Sequence, residues 1–255
     1  MSYAMRIAAV TAAMSLSGAF ATANAQTFFG QDLRWGLGAT SVVGTNSVAA
    51  RTSFLSNLTG VATENFESFA VGAGAPLPLT FAGAGTATLS NKGEVLNTPG
   101  AGRRATSGSK FWELGTGSGG SQFTVKFSQA IAAFGVYGVD VGDFGDQLTM
   151  QFFNNNVAAG SWSPLHGLGG GGGGANDGNL NFFGYINTNN LFDEIRFSSV
   201  GTTNQNQDFW GFDDMTIGSL QQVSTVPEPS SVALMATGLI GVLIARRRHR
   251  GSASK

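Results

Sequence analysis

Short segments with a period of two residues recur along much of the chain, and they constrain its fold more than any other feature. Segments 122–127 and 147–153 each alternate apolar with polar residues. In segment 192–197 the same alternation predicts that Phe192 lies on the face opposite Ile195 and Phe197. Clusters of Gly, Asn and Asp separate the segments and favour turns. The pattern predicts an all-β, jelly-roll-like antiparallel sandwich.

One segment near the beginning has helical spacing instead. Val48, Arg51, Leu55 and Leu58 recur on one helical face, which predicts a short helix over about residues 47–58. The predicted organisation is a signal peptide (1–25), an N-terminal segment with the helix (26–64), a β-sandwich domain (65–218), a linker (219–226) and a C-terminal sorting segment (227–250).

The first 25 residues have the composition of an export signal. Arg6 supplies a positive charge, and residues 7–20 are mostly apolar and small. The triplet at 23–25, Ala-Asn-Ala, fits the small-x-small pattern of a cleavage site. We therefore expect the mature chain to begin at Gln26.

The C-terminal segment combines three elements in a fixed order. Pro227, Glu228 and Pro229 keep the backbone extended, and the uncharged stretch at 230–245 follows as a predicted membrane helix. The apolar part of this stretch, 14 residues long, rises about 21 Å as a helix, which is short for a bilayer core of about 30 Å. A basic tail at 246–250, which includes Arg246, Arg247 and Arg248, favours the cytoplasmic side.

This order resembles the PEP-CTERM sorting signal of Gram-negative bacteria. The resemblance implies recognition by a membrane-embedded exosortase, transient anchoring of the precursor in the inner membrane, and transfer to the cell surface or an exopolysaccharide matrix. The expected partners are therefore the exosortase, the secretion machinery and the inner membrane, with exopolysaccharide as a further partner. The tail covers about a tenth of the chain and does not indicate the function of the sandwich.

The body also resembles the jelly-roll domains that often precede this signal and certain carbohydrate-binding sandwiches. Segments 66–69, 134–140 and 209–215 carry that resemblance. The chain has only two histidines, no Gly-x-Ser-x-Gly elbow and no His-Glu-x-x-His helix. We therefore expect a surface or matrix protein that is not an enzyme, with a calcium-stabilised carbohydrate-binding module as the alternative and an exported hydrolase as a lesser one.

Charge and composition narrow the classes of partner. Residues 26–225 contain 8 basic and 14 acidic residues, a net charge of −6. An acidic body argues against nucleic acid, whose phosphates require a basic face. The chain has no cysteine, which excludes disulfides and a thiol nucleophile.

Two groups of carboxylates are candidate metal ligands. Asp140, Asp143 and Asp146 recur every third residue in a glycine-containing turn, an oxygen-rich arrangement that suits Ca²⁺. A solvated acidic loop is the alternative interpretation.

A second group joins the first and last predicted strands of the domain. It consists of Glu67, Asp213 and Asp214, and similar positions in jelly rolls hold a structural calcium. On a regular strand only one of Asp213 and Asp214 can face inward. A hydrogen-bonded strand end is the alternative interpretation.

Exposed aromatic side chains are the candidate sugar platforms. Among Trp35, Trp112, Trp162, Trp210 and Tyr137, we select Trp112 and Trp162. Aromatic rings suit the C–H faces of sugars, although a tryptophan in a sandwich also serves as a core residue.

Overall fold

The computed structural model describes residues 25–33, 44–100, 102–115, 123–142, 147–164, 178–200 and 209–224. The predicted signal peptide apart from Ala25, the sorting motif, the predicted membrane segment and the basic tail lie outside these ranges. The elements are β1 (Gln26–Asp32), α1 (Thr45–Leu55), β2 (Thr63–Glu64), β3 (Leu77–Phe81), β4 (Gly85–Ser90), β5 (Glu94–Leu96), β6 (Phe111–Gly115), β7 (Phe123–Ile131), β8 (Ala133–Val139), β9 (Gln147–Asn154), β10 (Val157–Trp162), β11 (Leu180–Ile186), β12 (Phe192–Val200), β13 (Phe209–Gly218) and a 3-10 turn (Leu220–Gln222). No helix within the described ranges has the length and apolar character needed to cross a membrane.

The described strands form two antiparallel sheets. The first sheet has the order β1-β11-β8-β13-β6-β5, with β2 also paired to β13, and the second has the order β10-β9-β12-β7-β4-β3. β1 and β2 precede residue 65, so the predicted N-terminal segment contributes strands to the first sheet. The prediction of a mostly β protein with two antiparallel sheets and a short helix is confirmed.

The core lies between the two sheets and is rich in phenylalanine. Phe123 of the second sheet packs on Phe212 of the first, with ring centroids 5.8 Å apart, and Phe197 packs on Phe134 at 5.9 Å. These rings are buried. Burial of such apolar area is the main force that joins the sheets.

The predicted facing of β12 was wrong at one position. Phe192 is buried, as are Ile195 and Phe197, so all three contribute to the core cluster. The register of β12 against β7 shifts between Phe192 and Glu194. Across this shift β12 advances by two residues while β7 advances by five, so the pairing is irregular at Phe192 and the strict alternation of residues 194–197 does not extend to it.

Helix α1 covers the outer face of the first sheet, but its bounds and the position of Val48 differ from the prediction. It spans 45–55 rather than 47–58, and Val48 is 43% exposed. Phe54 is instead the buried contact, 5.7 Å from Phe28 and 5.6 Å from Phe182 between ring centroids. Leu58, just after the helix, is buried in the same cluster and Leu55 packs against it, so the predicted face is confirmed at its C-terminal end and wrong at Val48.

The start of α1 is held by a carboxylate from β1. Asp32 accepts hydrogen bonds from the backbone N–H groups of Asn46 (3.0 Å) and Ser47 (2.9 Å), and from the Ser47 hydroxyl (2.6 Å). These are the donors that a helix leaves unpaired at its first turn. Gly30 lets the helix approach, because a Cβ there would overlap the Asn46 carbonyl.

Candidate functional site

Asp213 and Asp214 on β13 hold one end of the loop at residues 106–110, hereafter the 106–110 loop. Asp213 Oδ2 accepts from the backbone N–H groups of Thr106 (2.6 Å) and Ser107 (3.1 Å). Asp214 Oδ1 accepts from the Ser107 hydroxyl at 2.7 Å. The Thr106 hydroxyl lies 2.8 Å from Asp213 Oδ2 and 3.2 Å from Asp214 Oδ2. Both carboxylates are therefore occupied by donors of the loop.

A backbone irregularity brings these neighbouring side chains to the same loop. Asp214 has a φ of 49°, and the register of β13 against β8 shifts between Asp213 and Thr216. The left-handed conformation and the bulge cancel the alternation of a regular strand. The expectation that only one of the two aspartates faces inward was based on a regular strand. It does not describe this site.

Burial makes Asp213 an unusual carboxylate. The pKa of Asp213 is raised from 3.8 to about 7. Burial is the largest cause and the charge of Asp214 is the second, whereas hydrogen bonds from Ser107 and Thr106 oppose the shift. Removing a carboxylate from water disfavours its charged form, and a neighbouring negative charge adds to that effect.

Glu67 holds the opposite end of the 106–110 loop. Its Oε1 accepts from the backbone N–H groups of Ser109 and Lys110, both at 2.6 Å, and Oε2 lies 3.1 Å from the Ser109 hydroxyl. These backbone hydrogen bonds, from Ser109 first and then Lys110, lower the pKa of Glu67. The ammonium of Lys110 in turn donates to the carbonyls of Glu67 (2.9 Å) and Phe69 (2.6 Å).

This geometry does not fit the calcium site predicted for Glu67, Asp213 and Asp214. Ca²⁺ requires six to eight converging oxygens. Here the glutamate and the two aspartates bind different ends of one loop, and their oxygens accept hydrogen bonds from protein donors. Within the described part of the chain, no three acidic or histidine side chains form a group that could hold a metal ion.

Asp140 of the other predicted metal group is also occupied by protein donors. It is buried, with Oδ1 accepting from the Gly178 N–H at 2.7 Å and Oδ2 lying 3.5 Å from Arg103. Arg103 pairs more closely with Glu113, at 2.7 Å. Asp143 and Asp146 lie outside the described residues, so a calcium site at 140–146 stays a prediction.

The structure separates the two selected tryptophans. Trp112 is 0% exposed and stacks on Phe66 with ring centroids 6.2 Å apart, so the prediction that it contacts sugar was wrong. On β6, Trp112 and Leu114 are buried and Glu113 between them is partly exposed, so Trp112 lies on the core face of the strand. Trp210 and Tyr137 are buried as well, and Trp35 lies outside the described residues.

Trp162 is half-buried and lines a pocket of about 350 Å³, hereafter the Trp162 pocket. The pocket lies where β1 and β11 of the first sheet meet β10 of the second, and its lining includes Thr27, Ser161, Tyr185, Asn187 and Asn190. The Trp162 ring is fixed edge-on against Phe183 at 6.4 Å and 75°. The volume of the pocket is that of a site for a small ligand.

Tyr185 and Asn187 form a rigid side of the pocket. The Tyr185 ring stacks on Phe152 with centroids 3.9 Å apart, and its hydroxyl oxygen accepts from Asn187 Nδ2 at 3.2 Å. Asn187 Oδ1 accepts from the backbone N–H groups of Asn189 (3.1 Å) and Asn190 (2.9 Å). Sequence reasoning missed both residues. The Asn-rich run 187–190 was a turn signal that could have pointed to this corner.

Gly160 keeps the space beside Tyr185 open. It lies at the register shift between β10 and β9 and has a φ of 151°. A Cβ at this position would be 3.0 Å from the Tyr185 hydroxyl oxygen. The bulge and the missing side chain thus shape the Trp162 pocket.

Comparison with known proteins identifies the C-terminal segment. Residues 225–248 match the PEP-CTERM protein-sorting motif, as the sequence predicted. The motif marks an exported, exosortase-processed surface protein. No curated protein matches the chain.

Several solved structures resemble the body as β-rich folds. The K2 cleaved adhesin domain of Lys-gingipain is 15% identical, with 62% of this chain and 97% of that chain covered at a TM-score of 0.38. A DUF4465 family protein from Bacteroides caccae is 9% identical, with coverage of 63% and 100% and a TM-score of 0.42. The C-terminal family 22 carbohydrate binding module of Clostridium thermocellum Xyn10B is 12% identical, with coverage of 65% and 98% and a TM-score of 0.35. Likenesses at this level transfer no binding residue or activity to this chain.

Proposed function

We propose that this chain is a non-enzymatic protein of the cell surface or exopolysaccharide matrix, released from its membrane anchor by an exosortase. The observation that carries the proposal is the match of residues 225–248 to the PEP-CTERM motif, which follows a β-sandwich body in the sequence. The precursor is exported, held in the inner membrane by the segment at 230–245, and cut there before it reaches the surface.

The jelly-roll connectivity is part of this proposal. The connections from β6 to β7, β7 to β8 and β8 to β9 each pass from one sheet to the other. Such alternation between sheets is typical of double-sheet jelly rolls.

Five of the described carboxylates have structural partners, which supports a non-enzymatic role. A glycoside hydrolase uses two carboxyl groups that face each other across a cleft. Glu67, Asp213 and Asp214 instead hold the 106–110 loop, and Asp140 and Glu113 engage Arg103. A carboxylate occupied by backbone donors is committed to structure, so an exported hydrolase is the weakest of the three candidates.

A carbohydrate-binding module is the second candidate, and the Trp162 pocket favours it. Of the two predicted calcium sites, only the one at residues 140–146 is left to stabilise such a module. If the melting temperature of the purified chain is the same in calcium and in chelator, that part of the candidate fails.

The proposal is tested by changing the sorting motif in the producing cell. We expect the double variant Pro227→Ala, Pro229→Ala to accumulate in the inner membrane at the precursor mass, while the parent reaches the surface at a lower mass. Removal of residues 251–255, which follow the matched motif, is the matched control and should leave sorting unchanged. Equal surface yield and equal mass for the double variant and the parent would contradict the proposal.

A further inference from the structure

We infer that the Trp162 pocket binds a neutral saccharide. The inference rests on the proposed function, because it names the site through which a matrix protein would hold its polysaccharide. Three features of the pocket carry it: a ring that is fixed but half-exposed, a lining without charge, and a position at the edge of both sheets.

The first feature is the state of the Trp162 side chain. Its ring is restrained by Phe183 and is still partly accessible in the pocket, whereas Trp112 and Trp210 are enclosed by the core. A ring that is already ordered loses little conformational freedom when a ligand stacks on it. An apolar face beside a polar rim is what a sugar ring, with its C–H faces and hydroxyl edge, requires.

The second feature is the chemistry of the lining. Thr27, Ser161 and Asn190 contribute hydroxyl and amide groups at exposed positions. Among the described residues that line the pocket, none is Asp, Glu, Lys, Arg or His. Neutral donors and acceptors suit a neutral polyhydroxyl ligand, whereas a phosphate or a carboxylate is normally met by Arg or Lys. The lining therefore favours a neutral saccharide over an acidic one.

The third feature is the position at the edge of both sheets, between the edge strands β1 and β10. Ala25 lines the pocket and is the last residue of the predicted signal peptide. We expect cleavage after Ala25 on export to remove this lining residue. The new α-amino group belongs to Gln26, which is exposed, so the mature chain carries one positive charge beside the pocket, whereas no described lining residue has a charged side chain. The mature chain, which begins at Gln26, is therefore the form in which binding is to be measured.

The test uses the exported chain and two kinds of probe. Affinity gel electrophoresis measures retention by the producer's own exopolysaccharide. Calorimetric titration measures binding of glucose, galactose, mannose and their β-1,4-linked disaccharides, with glucuronic acid as the charged counterpart. We expect retention by the polysaccharide and binding of at least one neutral sugar.

Two variants locate the binding. We expect Trp162→Ala to weaken it about tenfold or more, because the loss of an aromatic anchor is among the costliest changes at a binding site. Since Trp162 also packs on the core, Ser161→Ile provides a second arm: it fills the pocket from an exposed position and should weaken binding to a similar extent. Val157→Ala is the matched control, on the same strand, 69% exposed and outside the lining.

Each other outcome overturns a defined part of the account. Unchanged binding by both pocket variants would refute the site, as would a processed surface protein that binds none of the probes. Preference for glucuronic acid would refute the neutral ligand class. In these three cases the proposed sorting stands. A chain that reaches the surface unprocessed would instead refute the proposed function, whatever the binding.

Discussion

The 106–110 loop and the Trp162 pocket use polar side chains in opposite ways. At the loop, Glu67, Asp213 and Asp214 are occupied by donors of the loop, and the two aspartates are buried. At the pocket, Thr27 and Ser161 are neutral and exposed. The charged region is committed to the fold, and the uncharged region keeps groups available for a ligand.

The difference follows from the cost of burial. A carboxylate removed from water must be paired with donors, so buried charge leaves few free acceptor positions. A hydroxyl or amide at a strand edge stays solvated and can exchange water for a ligand at little cost. Acidic residues, which are the usual first candidates for chemistry, are therefore poor guides to the accessible polar groups of this sandwich.

The largest expected effect separates the two tryptophans. Trp112→Ala should lower the free energy of unfolding by about 3–5 kcal/mol, because it empties a large volume in the core. Trp162→Ala should lower it by about 1–2 kcal/mol, because its ring is only half-buried. Urea denaturation measures both. Equal losses would show that Trp162 is a core residue like Trp112, which would contradict the assignment of Trp162 to an accessible pocket.

The next effect concerns the buried aspartate. Asp213→Ala leaves the backbone N–H groups of Thr106 and Ser107 without their acceptor, so we expect a loss of about 2 kcal/mol in the free energy of unfolding. The exposed Glu94, also on the first sheet, is the matched control, and Glu94→Ala should change stability by less than about 0.5 kcal/mol. A loss for Asp213→Ala no larger than that of the control would show that the carboxylate does not hold the loop.

A pH effect should be confined to the 106–110 loop. The pKa of Asp213 is raised from 3.8 to about 7, so between those values the folded state binds more protons than the unfolded state. Stability from this group is present at low pH and is lost as the pH rises toward 7, by at most about 1.4 kcal/mol per pH unit.

The window from pH 5 to 7 isolates this effect. The pKa of Glu67 is lowered from 4.5, so its contribution is lost only as the pH falls below that range. The difference in unfolding free energy between the parent and Asp213→Asn, followed across the window, reports Asp213. A constant difference would contradict the raised pKa.

The smallest effect is expected at the pocket. Because the described lining residues carry no charge, retention by exopolysaccharide should change little between pH 5 and 7 and between low and moderate salt. Affinity gel electrophoresis under those conditions measures it. A steep dependence on salt would place the polysaccharide on a charged surface instead and would remove the distinction between the two regions.

Sequence reasoning succeeded where the backbone is regular. The alternation at 122–127 and 147–153 correctly placed Phe123, Val125, Leu148 and Met150 in the core, and the sorting motif was recognised from its linear order. Both kinds of information are local, so they need no knowledge of which strands become neighbours.

It failed where bulges or distant contacts decide the outcome. We expected only one of Asp213 and Asp214 to face inward. Because of the bulge at Asp214, with its φ of 49°, both side chains contact the 106–110 loop. Trp112 and Trp162 each lie on a strand, and the sequence does not state which strand is central and which is an edge. The pocket joins residues far apart in the chain, such as Thr27 and Asn187, which local patterns do not bring together.

The central claim is that the chain is exported and cut at its C-terminal signal, and the mass of the form isolated from the cell surface tests it most directly. We expect a chain that begins at Gln26 and lacks the basic tail at 246–250. A surface form that still carries Arg246–Arg250 would contradict it.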